Sequence, residues 1–328
     1  MLDRSHEAVP WLTPRRAGLA LLVIGALGVT GASLVSLLGG WIWPFDLLAH
    51  FRVQYAGLLV LAVVAALLLR GWLTALGLGL LLVAHLVPLR PLVFAGDEPV
   101  GDGPTMRAVH INVLTSNTRV ADTAAWLAEQ DADVVVAQET DRRWVTGLDA
   151  GLDGLVRLPT ETIRSDNFGL VVYVRDGIEV VSVQVVDPDR TPAIVAELAL
   201  PDGRTTVVYA VHTLPPVGAD NVEWANEQLE RVAGTVNGHD GPALVVGDLN
   251  ATRWGDSYQR LRSRVELVDS ADGRGLQGTW PSPLWFTGMI GIDHVLVTPD
   301  VRVDDRFVGP DLGSDHRAVV VDVTFVAG

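Results

Sequence analysis

The sequence predicts an α/β protein in which two mostly antiparallel sheets pack face to face with helices outside them, preceded by three membrane-spanning helices. Three observations carry this. Long uncharged apolar runs are confined to the first 89 residues, strand-like runs dominate the remainder, and two amphipathic helical stretches are interleaved with those strands. Two facing sheets with outer helices use every one of these elements.

The membrane part comes first. Ala17 to Leu38 runs 22 residues without a charge, Val53 to Leu69 lies uncharged between Arg52 and Arg70, and Gly71 to Leu89 follows at once. Each is long enough to cross a hydrocarbon core of about 30 Å. Three such runs in tandem exceed the core helices of a soluble domain, and a cleavable signal peptide would account only for the first. Arg4, Arg15 and Arg16 precede the first run and Arg70 joins the second to the third, against Arg52 and Arg90 on the other side. The positive-inside rule then favours a cytoplasmic N-terminus, which leaves the large C-terminal part on the extracellular side of the plasma membrane. The expected organisation is a cytoplasmic segment over 1–16, a three-helix membrane region over 17–89, a linker over 90–104 and a folded domain over 105–328. Pro91, Gly96, Pro99, Gly101, Gly103 and Pro104, mixed with Asp97, Glu98 and Asp102, give the linker its composition.

Nine strands follow from apolar or alternating runs: Arg107 to Val113, Asp133 to Gln138, Gly169 to Arg175, Ile178 to Val186, Ala193 to Leu198, Thr205 to Val211, Ala243 to Val246, Asp293 to Val297 and His316 to Phe325. Short turns such as Pro201-Asp202-Gly203 join several of them, which indicates mainly antiparallel pairing. Val120, Ala124 and Leu127 share one face of a helix. Val222, Ala225, Leu229, Val232 and Val236 recur at steps of three and four, so the stretch from about Asp220 to Val236 is amphipathic.

Composition narrows the chemistry. The chain has no Cys, which excludes a thiolate zinc site and a Cys nucleophile, and all 24 basic residues are Arg. Residues after 102 carry 33 acids against 18 Arg. A surface so acidic repels a polyanion, so nucleic acid is a disfavoured partner.

The motifs lie at the ends of apolar runs: His110-Ile111-Asn112, Gln138-Glu139, Val211-His212, Gly247-Asp248-Leu249-Asn250, Ile292-Asp293-His294 and Gly313-Ser314-Asp315-His316. They supply carboxylates, carboxamides and imidazoles. That is an oxygen-rich ligand set for Mg²⁺ or Mn²⁺, with His left for acid and base work. In this order the motifs resemble the endonuclease/exonuclease/phosphatase superfamily over about Met106 to Phe325, more narrowly its membrane-anchored bacterial members tied to envelope lipids or glycopeptide resistance. The resemblance implies a four-layer α/β sandwich with its site where strand ends of both sheets meet.

It also implies roles. Glu139 is the principal metal ligand, Asn112 supports the metal or the scissile phosphate, and Asp315 lies on the metal side. Asp248 accepts a proton from the attacking water or orients it, and Asn250 donates to a non-bridging phosphate oxygen. His316 contacts the phosphate, with Asp293 fixing its tautomer, and His212 is the second phosphate-contacting imidazole. His110 is read as structural, His294 as pointing away from the site, and Asn117 and Asn167 as turn residues or pocket lining. Ser314 lacks the Gly-x-Ser-x-Gly setting of a nucleophile. Trp280, Pro281, Trp285, Phe286 and Met289 form a loop that either packs on the core or makes a hydrophobic rim for a lipid.

The leading functional expectation is a membrane-tethered, Mg²⁺-dependent phosphoesterase acting on an envelope-lipid phosphate or pyrophosphate. The alternatives are a metal-dependent nuclease using the same residues, and a catalytically silent membrane protein that binds a ligand or partner.

Overall fold

A computed structural model describes residues 13–96, 98–160, 162–187, 189–282 and 288–326. It divides into two compact units, Met1–Arg90 and Pro91–Gly328.

The first unit contains α1 (Pro14–Val35), the single turn α2 (Trp43–Asp46), α3 (Arg52–Leu68) and α4 (Trp72–Leu86). With the 3₁₀ turns that extend them, they make three runs long and apolar enough to cross a membrane: Pro14–Leu38, Trp43–Leu68 and Trp72–Leu92. Ala26, Leu59, Ala66, Ala75 and Leu78 fill the seam between helices, while Leu21, Leu27, Leu61, Leu68 and Leu73 stay exposed on the outside. Small residues at a helix seam allow the close backbone approach that holds helices together in lipid. The second run differs from expectation by starting at Trp43 rather than Val53, because a 3₁₀ segment, Leu47–Phe51, joins α2 to α3. Asp46, His50 and Arg52 therefore lie inside it. At the other end, Arg15 donates from Nε to the carbonyl of Leu69 at 2.7 Å and from Nη2 to that of Arg70 at 2.8 Å, capping α3.

The second unit runs β1 (Thr105–Asn112), α5 (Val120–Glu129), β2 (Val134–Gln138), α6 (Arg142–Gly151), β3 (Leu155–Arg157), β4 (Leu170–Arg175), β5 (Val180–Val186), β6 (Ala193–Ala199), β7 (Thr205–Val211), α7 (Ala219–Asn237), β8 (Ala243–Asp248), α8 (Asp256–Arg264), β9 (Val268–Asp269), β10 (Asp293–Val297), β11 (Val301–Val308) and β12 (Val319–Phe325). The strands form two six-stranded sheets, ordered β11-β12-β1-β2-β4-β3 and β5-β6-β7-β8-β10-β9. Pairing is antiparallel except for β1–β2 and β7–β8. Parallel neighbours need a crossover, and α5 and α7 provide it.

Four layers result. Alternate residues of the central strands, including Ala108, Val136, Val172, Ala210, Val246, Val295 and Val321, meet between the sheets. The intervening residues face outward, with Val109 and Val135 under α5 and α6 and Tyr209 and Val245 under α7 and α8. Both sheets thus have two buried faces, which explains their near-continuous Val-rich runs.

Beside β9 and β10 the outer face of the second sheet carries a buried ionic cluster. Asp269 accepts from Arg253 Nη2 at 3.0 Å and from the Tyr258 hydroxyl at 2.8 Å, and His294 Nδ1 lies 3.6 Å away. Arg253 also pairs with Asp272. Burial alone would raise the Asp269 carboxyl, but His294 and the Arg253 and Arg306 guanidinium groups hold it well below the usual carboxylate range. A depressed folded-state pKa adds stability that is complete above the unfolded value of about 3.9 and is lost as pH falls below it. Asp269→Ala should therefore cost about 3 kcal/mol at neutral pH, because it leaves Arg253 with Asp272 as its one carboxylate and removes the acceptor of the buried Tyr258 hydroxyl. Denaturation of the detergent-solubilised chain checks this, and the variant should also show a shallower loss of stability below about pH 4 than the wild type.

Candidate active site

The period-2 alternation that builds the core also builds the site. His110 and Asn112 share the inter-sheet face of β1 with Ala108, Gln138 shares that of β2 with Val136, and Asp248 shares that of β8 with Val246. Asp293 opens β10 directly opposite Asp248. His212 follows β7 on the parity of Ala210. Polar residues from both sheets thereby cap one end of the apolar inter-sheet core.

Two backbone features bring the strands close. Gly247 has φ +153°, and a Cβ there would lie 1.8 Å from the Val211 carbonyl oxygen, so no side chain fits between β7 and β8. Glu139, just past β2, has φ +58°. This left-handed turn costs about 1–3 kcal/mol for a non-glycine residue. It is held by the Thr115 hydroxyl, which donates to the Glu139 carbonyl at 2.8 Å, and by Asn112, which donates to the Glu139 carboxylate at 2.9 Å.

A chain of contacts joins the expected residues. Asn112 Nδ2 also lies 3.3 Å from Asp248 Oδ2. Around that same oxygen, His212 Nε2 is at 3.6 Å and His316 Nε2 at 3.7 Å. His316 Nδ1 faces Asp293 Oδ2 at 3.0 Å. Asp248 Oδ1 accepts the Asn250 N–H at 2.7 Å, closing an Asx turn that gives Asn250 its φ of +47°. The Asn250 side-chain amide donates to the Thr213 carbonyl at 2.9 Å, leaving its second N–H for another acceptor. Asp315 precedes His316, and its charge bears on both Glu139 and His316. Asn112, Glu139, His212, Asp248, Asn250, Asp293, Asp315 and His316 are thus brought together.

Electrostatics separates them. Burial pushes Asp248 up to about 7, although His316 opposes this. His316 is itself buried, yet Asp293 and Asp248 drive it up to about 10, which favours its protonated form at neutral pH. Against its own burial, Asp293 is held well below the carboxylate range by that imidazolium. His212 goes the other way, down to about 3, through burial and then the positive charge of His316. One imidazole thus favours the charged form and the other the neutral form in a single pocket.

Asp248, Asp293 and His316 could hold a metal ion by spacing, since their ligand atoms lie within 4.8 Å of one another. The hydrogen bonding gives this trio a different role. His316 Nδ1 donates to Asp293, and the flanking carboxylates favour the protonated imidazole, in which neither ring nitrogen has a lone pair for a metal. The Glu139 side fits a hard dication better. Asp315 Oδ2 accepts from the Trp280 indole at 3.1 Å while its Oδ1 is buried without a partner. Burial chiefly, and also Asp315, raises the Glu139 carboxyl. The Glu139 and Asp315 carboxylates are the kind of oxygen donor that Mg²⁺ accepts, while Asn112 turns its Nδ2 to Glu139 and its Oδ1 to the Leu114 N–H.

Around these residues lie others that support the site or stand apart from it. His110 is fully buried under the site, with Nε2 3.1 Å from Gln138 Oε1 and Nδ1 3.5 Å from Asp293. Gln138, to which the sequence alone assigns no role, accepts the Asp248 N–H at 3.0 Å and donates to the Val211 carbonyl at 2.8 Å, bridging the two sheets. Phe168, equally silent in the sequence, stacks on His212 with ring centroids 5.3 Å apart. Asn167 is an exposed turn residue with φ +68°. Asn117 ties the Val113 carbonyl to that of Leu312, and the Ser314 hydroxyl donates to the Asn112 carbonyl at 2.7 Å. His294 points away from the site, to the Ala251 carbonyl. Of the aromatic segment, Trp280 supports Asp315 and Met289 is buried, while Trp285 and Phe286 lie outside the described residues.

Fold and site together define a metal-dependent phosphoric ester hydrolase. Residues 109–316 match the model of the Endonuclease/Exonuclease/phosphatase family, and the chain belongs to that family. Solved structures share the fold. A family protein from Bacteroides thetaiotaomicron is 20% identical with a TM-score of 0.56, over 69% of this chain and 97% of that one. The mannosyl-6-phosphatase Bt3783 of the same organism gives 20% and 0.55, over 67% and 100%. D. rerio TDP2 complexed with single strand DNA product gives 15% and 0.56, over 67% and 99%. None of the curated proteins compared with the chain matches it.

Proposed function

We propose that the protein is a membrane-anchored, Mg²⁺-dependent phosphoesterase that hydrolyses a phosphate ester or pyrophosphate of an envelope lipid, with its catalytic unit on the extracellular side. The observation that carries the chemistry is the gathering of carboxylates, amides and two imidazoles from six separated motifs at one end of the inter-sheet core. Asn112, Glu139 and Asp315 would hold the metal, Mg²⁺ or Mn²⁺. When bound, the cation supplies positive charge to the phosphate oxygens and makes a water easier to deprotonate.

The chain's own residues do the rest. Asp248 receives the proton of the attacking water and fixes its line of approach. Asn250 and cationic His316 donate to the non-bridging oxygens, where negative charge grows as phosphorus becomes five-coordinate. Asp293 keeps His316 charged and oriented. His212, neutral and packed on Phe168, completes the cradle.

The lipid part rests on three helices able to cross a membrane and on the acidity of the second unit. A tethered site meets headgroups continuously, and an acidic surface opposes DNA. Both the phosphatase and TDP2 share this fold, so substrate must be tested directly. Purified protein with Mg²⁺ should hydrolyse a lipid pyrophosphate or phospholipid faster than it cleaves plasmid DNA, and EDTA should stop it. DNA cleavage without lipid hydrolysis would hand the site to the nuclease reading, and hydrolysis indifferent to EDTA would end the metal mechanism. Orientation has its own test. Arg15 and Arg70 meet at one end of the spans, which supports a cytoplasmic end there. Alkaline phosphatase fused after Gly328 should be active; cytoplasmic reporter activity instead would reverse the topology and revive intracellular substrates.

A further inference from the structure

The membrane unit contains a second polar site of its own. Between α1, α3 and α4 lies a cavity of about 180 Å³, lined by Thr30, Ser33, Arg52, Leu81 and His85 and opening past Leu34 and Leu37. Leu34 and Leu37 are 62% and 69% exposed, so this mouth faces the surroundings of the bundle. α1 ends, α3 begins and α4 ends here. The cavity is therefore at the end of the spans from which the chain continues into the second unit.

Its chemistry is that of an anion site with an apolar mouth. Arg52 carries a permanent charge, and no carboxylate lies within 4.0 Å of its guanidinium among the described residues. Its Nη2 donates to the Ser36 hydroxyl over a long 3.4 Å. Arg52 Nε and the Thr30 hydroxyl are buried without a partner. Donors left unpaired in an apolar setting each cost about 1–3 kcal/mol, more for a charged group, so a ligand that satisfies them is favoured. The volume equals about six water molecules at ~30 Å³ each, room for a phosphate and the ester carbons attached to it.

We propose that this cavity binds the phosphate of an anionic membrane lipid, with Arg52 as its charged donor, the Thr30 and Ser33 hydroxyls as neutral ones, and the acyl chains leaving past Leu34 and Leu37. A guanidinium backed by hydroxyls offers a phosphate the charge-assisted donors it accepts best. The site is separate from the phosphoesterase centre and does not depend on what that centre hydrolyses.

The test uses the full chain in detergent. Native mass spectrometry of the delipidated wild type with added phosphatidylglycerol should show a single retained lipid, and Tm should rise by about 3–8 °C. Arg52→Gln should bind at least about tenfold more weakly. Ala84 of α4 also lines the cavity, so Ala84→Leu narrows it while keeping Arg52, and should release the lipid as well. That second variant keeps the proposal testable if Arg52→Gln does not fold. Equal stabilisation by phosphatidylcholine would overturn headgroup recognition. Stabilisation by inorganic phosphate equal to that by phosphatidylglycerol would make this a free-anion site and overturn the lipid assignment. Undiminished retention by Ala84→Leu, or by folded Arg52→Gln, would place any bound lipid elsewhere.

Discussion

Replacing Asp248 by Asn is expected to lower kcat by about 10²–10⁴-fold on any phosphoester the protein hydrolyses, with no fall in Tm. The two halves of this result have one cause. Asp248 is 1% exposed, and burial pushes its carboxyl up to about 7, so the charged form is disfavoured by the fold. A raised folded-state pKa subtracts stability increasingly as pH climbs from the unfolded value of about 3.9 to the folded one, and the loss is complete above it. Asn has the same shape and no such charge. Its oxygen can still accept the Asn250 N–H, so the turn that places Asn250 survives. What disappears is the acceptor for a proton between His212, His316 and Asn112. Tm in EDTA and turnover in Mg²⁺ together decide the matter. Turnover within about tenfold of wild type would remove Asp248 from the role of base, and a collapse in Tm would make it a structural residue.

The central strands were legible because each is buried on both faces and its composition says so. Runs such as Val134-Val135-Val136-Ala137 have no other reading, and their polar termini could be taken as strand ends converging on a site. Elements at the margins were not. β11 reads Val-Arg-Val-Asp-Asp-Arg-Phe-Val, and its bulge between Val303 and Asp305 breaks the alternation that would mark it. α8, with Arg260, Arg262 and Arg264 among nine residues, buries only Ser257, Tyr258 and Leu261, too few for a periodic signal. β3 and β9, of three and two residues, exist only through their neighbours. The site shows the same division. Residues in strand-end motifs were found, but Gln138, Phe168 and Trp280 matter through partners 73, 44 and 35 positions away. Gln138 had a retrievable signal, since it shares the inward parity of Val136. No local pattern indicates that a loop Phe will lie on His212, or that an indole will fix one oxygen of Asp315. The second membrane run extends further toward the N-terminus than its uncharged stretch for a related reason: Arg52 looks like a boundary until tertiary structure gives it a cavity to face.

Glu139→Gln should leave the fold intact while raising the Mg²⁺ needed for half-maximal turnover by about 10–100-fold. The carboxylate has two functions that this substitution divides. One oxygen accepts from Asn112 Nδ2 at 2.9 Å, a bond the Gln carbonyl can keep, so the left-handed turn at residue 139 retains its main anchors. The negative charge it cannot keep, and a neutral amide is a poor ligand for a hard dication. Without metal, removing that charge also removes its repulsion from Asp315, so Tm in EDTA should hold or rise. Adding Mg²⁺ should then raise Tm less than in the wild type, because stabilisation by a ligand follows its affinity for the folded state. This readout needs no substrate, and so tests the metal site even while the physiological phosphoester is unknown. An unchanged Mg²⁺-induced shift in Glu139→Gln would move the metal elsewhere, and the Asp248, Asp293 and His316 trio would be the next place to look.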